Sequence, residues 1–358
     1  METRPAKIHC CSAGAIRSIL QIVEMHPFSI VAYSREPRAS CLSSVAPRPV
    51  VKVRSAAELM VEVARRHRVV VFIDADLLAQ LGSQRITFPV VAIIEDQTNA
   101  ALPKAVKMFA AYPWISHCIS AAMLMTLDAN KYLGSLLDRL LAHKNEHVLG
   151  ASGVGRVALL ARASRREERF ERMQQFFKKH KLNSRALTAL AEVAEELVMN
   201  ALYDAPLEAG HFKQAVPRTD DVNLPDERAC EISYGVEGDH AFVRLRDTFG
   251  ALQKSRLLEV LVRCSGAADV QLDESRGGAG LGLWRVFSVA SSIIVTVVPG
   301  SVTDILVNVA IANGKLVKQL TAINLFFTPP KKEDWLDDLA LSDRPALFDQ
   351  SVTLVHVA

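Results

Sequence analysis

Glu196 and Asn200 stand four residues apart in the stretch SRALTALAEVAEELVMNALYDAP. On a helix that offset puts both side chains on one face, one turn from each other. A carboxylate so placed polarises a water, while the neighbouring amide oxygen binds a hard magnesium ion. The pair suits phosphate chemistry, although the same spacing also occurs on ordinary helix surfaces. A second candidate closes the alternating run of AFVRLRDTFGAL, which reads as a strand ending at Asp247. A carboxylate fixed there can accept a hydrogen bond from the exocyclic amino group of adenine and discriminate against guanine, which carries a carbonyl instead. Read alone, Asp247 is a turn residue at a strand end. The third candidate is GGAGLGLWRVFSVA, with Gly278, Gly280 and Gly282 at the start of a helix. Glycine lets backbone approach an anion, and the helix N-terminus offers free N–H donors. Such glycine density is costly in a helix start unless close approach is needed.

In that order and spacing, ExxxN, a strand-end Asp and GxGLGL resemble the N box and the two glycine boxes of the GHKL superfamily. That superfamily includes gyrase, heat-shock chaperones, histidine kinases and anti-sigma serine kinases. The resemblance covers residues 184–311 and implies a Bergerat-fold α/β sandwich, helices layered on one mixed sheet, with strands at 230–234, 293–298 and 305–309. It implies ATP and Mg as cofactors, with Glu196 as the general base, Asn200 as the magnesium ligand and Asp247 as the adenine-binding aspartate. Gly278, Gly280, Leu281 and Gly282 fall on the phosphate loop, residues 253–276 on the ATP lid, and Thr303 on a strand that often adds a polar side chain. Tyr203 and Asp204, one turn past Asn200, are candidates to line the same pocket. The sequence departs from the family's DxGxG: Asp247 is followed by Thr248, Phe249, Gly250 and Ala251, so Gly250 is displaced by one and a bulky ring stands where glycine is expected.

The helix that carries Glu196 has Ser184 as its expected N-cap and Pro206 as its expected end. A charged stretch before it, 161–181, reads as a helix either lying against the next domain or docking a partner. Glycines 150, 153 and 155 read as a hinge. The first 150 residues alternate short β-branched runs with amphipathic stretches, the pattern of a parallel sheet with crossover helices. Strands are expected at 7–10, 28–33, 50–53, 69–73, 90–94 and 117–120, and helices at 15–25 and 56–67. Asp74, Asp76, Glu95 and Asp96 follow two of these strands. This half resembles a response-regulator receiver domain, with Asp74 as the acceptor, in a flavodoxin-like sheet. His9, Cys10 and Cys11 occupy the place of the receiver's acidic pair and no lysine follows the strand near Ile119, so the expectation is a degenerate receiver. Asp74 and Asp76 also read as caps of the following helix.

The expected domains are therefore 1–150 (receiver-like), 151–183 (charged helical connector), 184–325 (GHKL ATP-binding) and 326–358 (polar tail). A chain of 358 residues has room for them, and 50% hydrophobic content excludes wholesale disorder. The net charge of +3 is too weak to imply nucleic acid or an anionic membrane as a partner. Six cysteines without paired spacing read as reduced, mostly buried thiols. With no secretory segment evident and no apolar run longer than a strand, the expected location is cytoplasmic. The resemblance implies a bacterial two-component-like signalling protein that phosphorylates Ser or Thr of a protein partner, as anti-sigma kinases do, with a homodimer open to it. The alternative is a non-catalytic, nucleotide-gated interaction module, a pseudokinase-like regulator.

Overall fold

The structure, a computed structural model, describes residues 28–95, 100–142, 154–266 and 281–328. The strand and helix expected at 7–10 and 15–25, His9, Cys10, Cys11, Asp96, Gly150, Gly153, Gly278, Gly280 and the tail from 329 lie outside these residues.

Five strands follow one another in the first part: β1 (Ser29–Tyr33), β2 (Val50–Lys52), β3 (Val69–Asp74), β4 (Val90–Ile94) and β5 (His117–Ser120). All are parallel, in the order β2-β1-β3-β4-β5. Their runs are apolar without alternation because both faces are covered; every residue of VVVFID in β3 is buried. One face carries α2 (Ala56–Ala64) and α3 (Ala101–Ala111), the other α1 (Arg38–Val45) and α4 (Ala129–Ala142). The first described strand is β1, and the residues that follow it are Ser34, Arg35 and Glu36.

The second part adds β6 (Val154–Leu160), β7 (Cys230–Glu237), β8 (His240–Asp247), β9 (Ser292–Val298), β10 (Val302–Ala312), β11 (Lys315–Val317) and β12 (Ala322–Phe327). They join the first five in one twelve-stranded sheet, β2-β1-β3-β4-β5-β12-β9-β10-β8-β7-β6, with β11 on β10. The join is β12, antiparallel to β5 and parallel to β9. The molecule is thus a mixed α/β fold on a large mixed sheet. Gly155 lies within edge strand β6, where a Cβ would meet Tyr234 O at 3.0 Å.

Helices α5 (Arg166–Lys179), α6 (Ser184–Met199), α7 (Lys254–Ser265) and α8 (Leu281–Val289) cover one face of this part. Charged α5 lies against α6 and β7, burying Met173 and Phe177 and presenting its charges outward. Asn183, not Ser184, caps α6: its side chain accepts from Ala186 N at 2.9 Å. The Asn313–Gly314 turn between β10 and β11, both residues at positive φ, sets that cap in place, since Asn183 N donates to Gly314 O at 2.8 Å. Nor does Pro206 end the helix. Residues Asn200–Asp204 form a π turn, Ala205 N donating to Asn200 O five residues back, and a last turn Ala205–Glu208 contains the proline. Proline has no N–H to offer, and the wider turn absorbs the break.

Candidate functional site

Period-2 alternation places Ala241, Val243, Leu245 and Asp247 of β8 on one face, and the first three belong to the core under the helices. On the adjacent strand the register pairs Thr303 with Asp247, and Ile305, Val307 and Val309 share that face. Helix α6 lies over it, burying Leu190, Val193, Ala194 and Leu197 and leaving Glu196 and Asn200 at its margin. Glu196, Asn200, Asp204, Asp247, Gly282 and Thr303 consequently line one cavity. Leu197, Leu245, Leu252, Leu257 and Ile305 supply an apolar wall, and Arg218 completes the polar side. The cavity encloses about 80 Å³, less than the roughly 300–1,000 Å³ typical of ligand pockets.

Asp247 is 4% exposed. Its Oδ1 accepts from Phe249 N at 2.8 Å and Gly250 N at 3.3 Å, so the carboxylate closes its own turn. Burial raises its pKa above the ordinary value, and those two backbone donors oppose the rise. Thr303 is equally buried; its hydroxyl is near enough to stabilise the Asp247 charge but lacks hydrogen-bonding geometry to any partner. A buried hydroxyl left in this way is costly and is a ready donor or acceptor for a ligand.

Glu196 is also raised, first by burial, with Arg218 pulling in the opposite direction. Arg218 bridges two carboxylates: Nη2 lies 2.9 Å from Asp204 Oδ2 and Nη1 lies 3.8 Å from Glu196 Oε2. Helix α8 approaches from the other side. A Cβ on Gly282 would fall 1.8 Å from the Glu196 carboxyl carbon, so this glycine is what lets α8 rest on the acid.

Three expected residues stand elsewhere. Tyr203 turns away from the cavity and donates to Asp220 O at 2.6 Å, tethering the loop that carries Arg218. Gly250 is not in the lining; at φ +60° its Cβ position is filled by Val298 O at 2.2 Å, so it serves the β9–β10 turn. Leu281 opens α8 beside the lining residue Gly282 without itself lining the cavity. Phe249 also leaves the pocket clear: it is buried against the ring of His211 at 5.8 Å, under the Arg228 guanidinium at 5.3 Å. Of the segment expected as a lid, 254–265 is helix α7, whose Arg256 reaches Glu208 at 3.0 Å across the cavity mouth. Sequence reasoning missed Arg218 and Arg256, because neither sits in a pattern that marks it.

Asp74 is fully buried and does not cap the turn that follows it. It accepts from Ser34 Oγ at 2.7 Å and Arg35 N at 2.9 Å and pairs with Arg38 at 3.1 Å. Of the described thiols, Cys118, Cys230 and Cys264 are buried, and burial pushes the first two up to about 12. Among the described residues no cluster of three or more His, Cys, Asp or Glu is placed to hold a metal, and no helix is long and apolar enough to cross a membrane.

Compared with protein-family models and with curated proteins, the chain matches none.

Proposed function

We propose that the cavity binds an adenine nucleotide with magnesium, and that the chain is an ATP-dependent signalling protein of the GHKL type that phosphorylates Ser or Thr of a protein partner. The observation that carries this reading is convergence: residues selected for nucleotide chemistry in three separate stretches line a single cavity. The donor set suits the ligand. Asp247 and the buried Thr303 hydroxyl beside it would receive the adenine edge against the apolar wall, and Asn200 would hold magnesium. One protein ligand suffices there, since magnesium keeps waters and phosphate oxygens as its other ligands. Bound Mg-ATP supplies the transferable phosphoryl group and the cation that offsets its charge. Glu196, with its raised pKa, would take the proton from the partner's hydroxyl as it attacks. The order β2-β1-β3-β4-β5 supports a receiver-like first part, since it is the order of flavodoxin-like sheets. The burial of Asp74 under Arg38 supports its being degenerate.

Calorimetric titration of the whole chain with ATP and GTP in magnesium tests this. Wild type should bind ATP in preference to GTP. Asp247→Asn should lose affinity by about 10- to 150-fold, the equivalent of one charge-assisted hydrogen bond. Failure of wild type to bind ATP would overturn the reading. A second reading, nucleotide-gated binding without transfer, is favoured by Arg218 occupying the Glu196 carboxylate. Label transfer from ATP to a partner, lost in Glu196→Ala, would reject that second reading.

A further inference from the structure

Strand order reverses at β1, which has β2 on one side and β3 on the other. In parallel sheets such a reversal opens a crevice at the carboxyl ends of the strands. A cleft of about 580 Å³ fills that place, several times the size of the Glu196 cavity. Tyr33, Val53 and Leu77 form an apolar floor. Arg35, Lys52 and Arg54 stand around the rim, and Glu36 is the one carboxylate among the lining residues. Among the lining residues themselves three cations stand against one acid, a set that suits an anion.

Two further carboxylates stand beside the rim, Asp76 on Arg35 and Glu58 on the Arg54 backbone N–H, so a ligand must exchange with exposed acids rather than meet bare cations. Asp74 is buried, and both its oxygens are engaged by Ser34, Arg35 N and Arg38. Arg35 pairs with Asp76, and Lys52 pairs with Glu36 at 3.0 Å, but the side chains are 56% and 50% exposed in the first pair and 40% and 60% in the second. Exposed pairs of this kind are weak and screened by solvent, so an incoming phosphate can take over either cation. Arg54 has its backbone N–H on Glu58 at 2.8 Å; among the described residues its guanidinium has no partner.

We infer that this cleft is a second binding site, for a small phosphate monoester held between Arg35, Lys52 and Arg54 with its organic part on Tyr33, Val53 and Leu77. Binding is reversible, with no bond formed to Asp74. The inference is independent of what the Glu196 cavity binds.

Phenyl phosphate is the probe, with inorganic phosphate and benzoate as comparisons, titrated calorimetrically into the full chain at moderate salt. Phenyl phosphate should bind saturably and more tightly than inorganic phosphate, which lacks the apolar group, or benzoate, which lacks the second charge. Lys52→Ala and Arg54→Ala, both at the rim, should each weaken it about tenfold, as expected for one charge-assisted contact. Asp247→Asn, in the other cavity, should leave it unchanged. The inference falls if phenyl phosphate does not saturate, if the double variant Lys52→Ala/Arg54→Ala binds it as wild type does, or if Asp247→Asn abolishes binding. Circular dichroism of the rim variants separates loss of the site from loss of fold.

Discussion

Glu196 and Gly282 depend on each other at the scale of single atoms. The three atoms nearest to a Cβ on Gly282 all belong to the Glu196 carboxyl group, the closest at 1.8 Å. A flexible side chain can swing aside, so Gly282→Ala should fold. The helix propensity of alanine, better by about 1 kcal/mol, offsets much of the crowding. What changes is the position of the acid. Phosphoryl transfer by Gly282→Ala should fall toward that of Glu196→Ala while ATP affinity stays close to wild type, read by single-turnover labelling beside calorimetry and urea unfolding. Wild-type transfer by Gly282→Ala would show that Glu196 is not needed where it stands. This part of the site was legible because spacing is a geometric statement: four residues on a helix is one turn, and alternation on β8 fixes the face of Asp247. Phe249 was not legible in the same way. Its side-chain direction is set by Asp247 closing the turn on Phe249 N and by Gly250 taking the positive φ next to it, which leaves the ring against His211.

Among the elements, the five described strands of the first part were legible to within a residue or so, because buried parallel strands write themselves as unbroken β-branched runs. Edge strand β6 and strand β12 were not. The first begins next to glycines that read as a hinge, and the second owes its place to partners far away in sequence, β5 and β9. The β5–β12 junction has a buried polar seam. His117 Nδ1 lies 3.2 Å from Asn324 Oδ1, and Asn324 Nδ2 donates to the Tyr132 hydroxyl at 2.5 Å. Arg139 bonds Thr296 and sits 4.0 Å over the Phe326 ring. Burial lowers the His117 pKa from 6.5 to about 3, with the Asn324 bond opposing the fall. Between those values the unfolded chain holds a proton that the folded chain refuses, so stability is lost as pH falls through 6.5, by about 1.4 kcal/mol per unit. Urea unfolding at pH 7 and pH 5 should differ by about 2 kcal/mol from this group. His117→Gln, which still offers an amide to Asn324, should remove that part of the difference; an unchanged slope would place the acid sensitivity elsewhere.

For the molecule as a whole, the decisive element is α7, because it has two faces. Leu257, Arg256 and Val260 line the Glu196 cavity, while the helix packs along α3 of the first part. Its first residue, Lys254, is clamped there: Nζ donates to Pro113 O at 2.7 Å, Ile115 O at 2.9 Å and Ser116 Oγ at 2.8 Å. A nucleotide needs more room than about 80 Å³, so occupancy requires a wall to move, and α7 is the wall tied to the other part of the sheet. Removing the tie in Lys254→Ala should therefore tighten ATP binding, by about tenfold if the clamp resists opening by about 1.4 kcal/mol. Proton linkage gives the same arrangement a second signature. Burial lowers Lys254 from 10.5 to about 8 in the clamped state. Between those values an opened, solvated Lys254 keeps a proton that the clamped one has released, so rising pH favours the clamped state. ATP affinity of wild type should accordingly weaken from pH 8 to pH 9.5, and that slope should be absent in Lys254→Ala. If the variant binds no more tightly and keeps the wild-type slope, α7 is a fixed wall and the two parts of the sheet do not communicate through it.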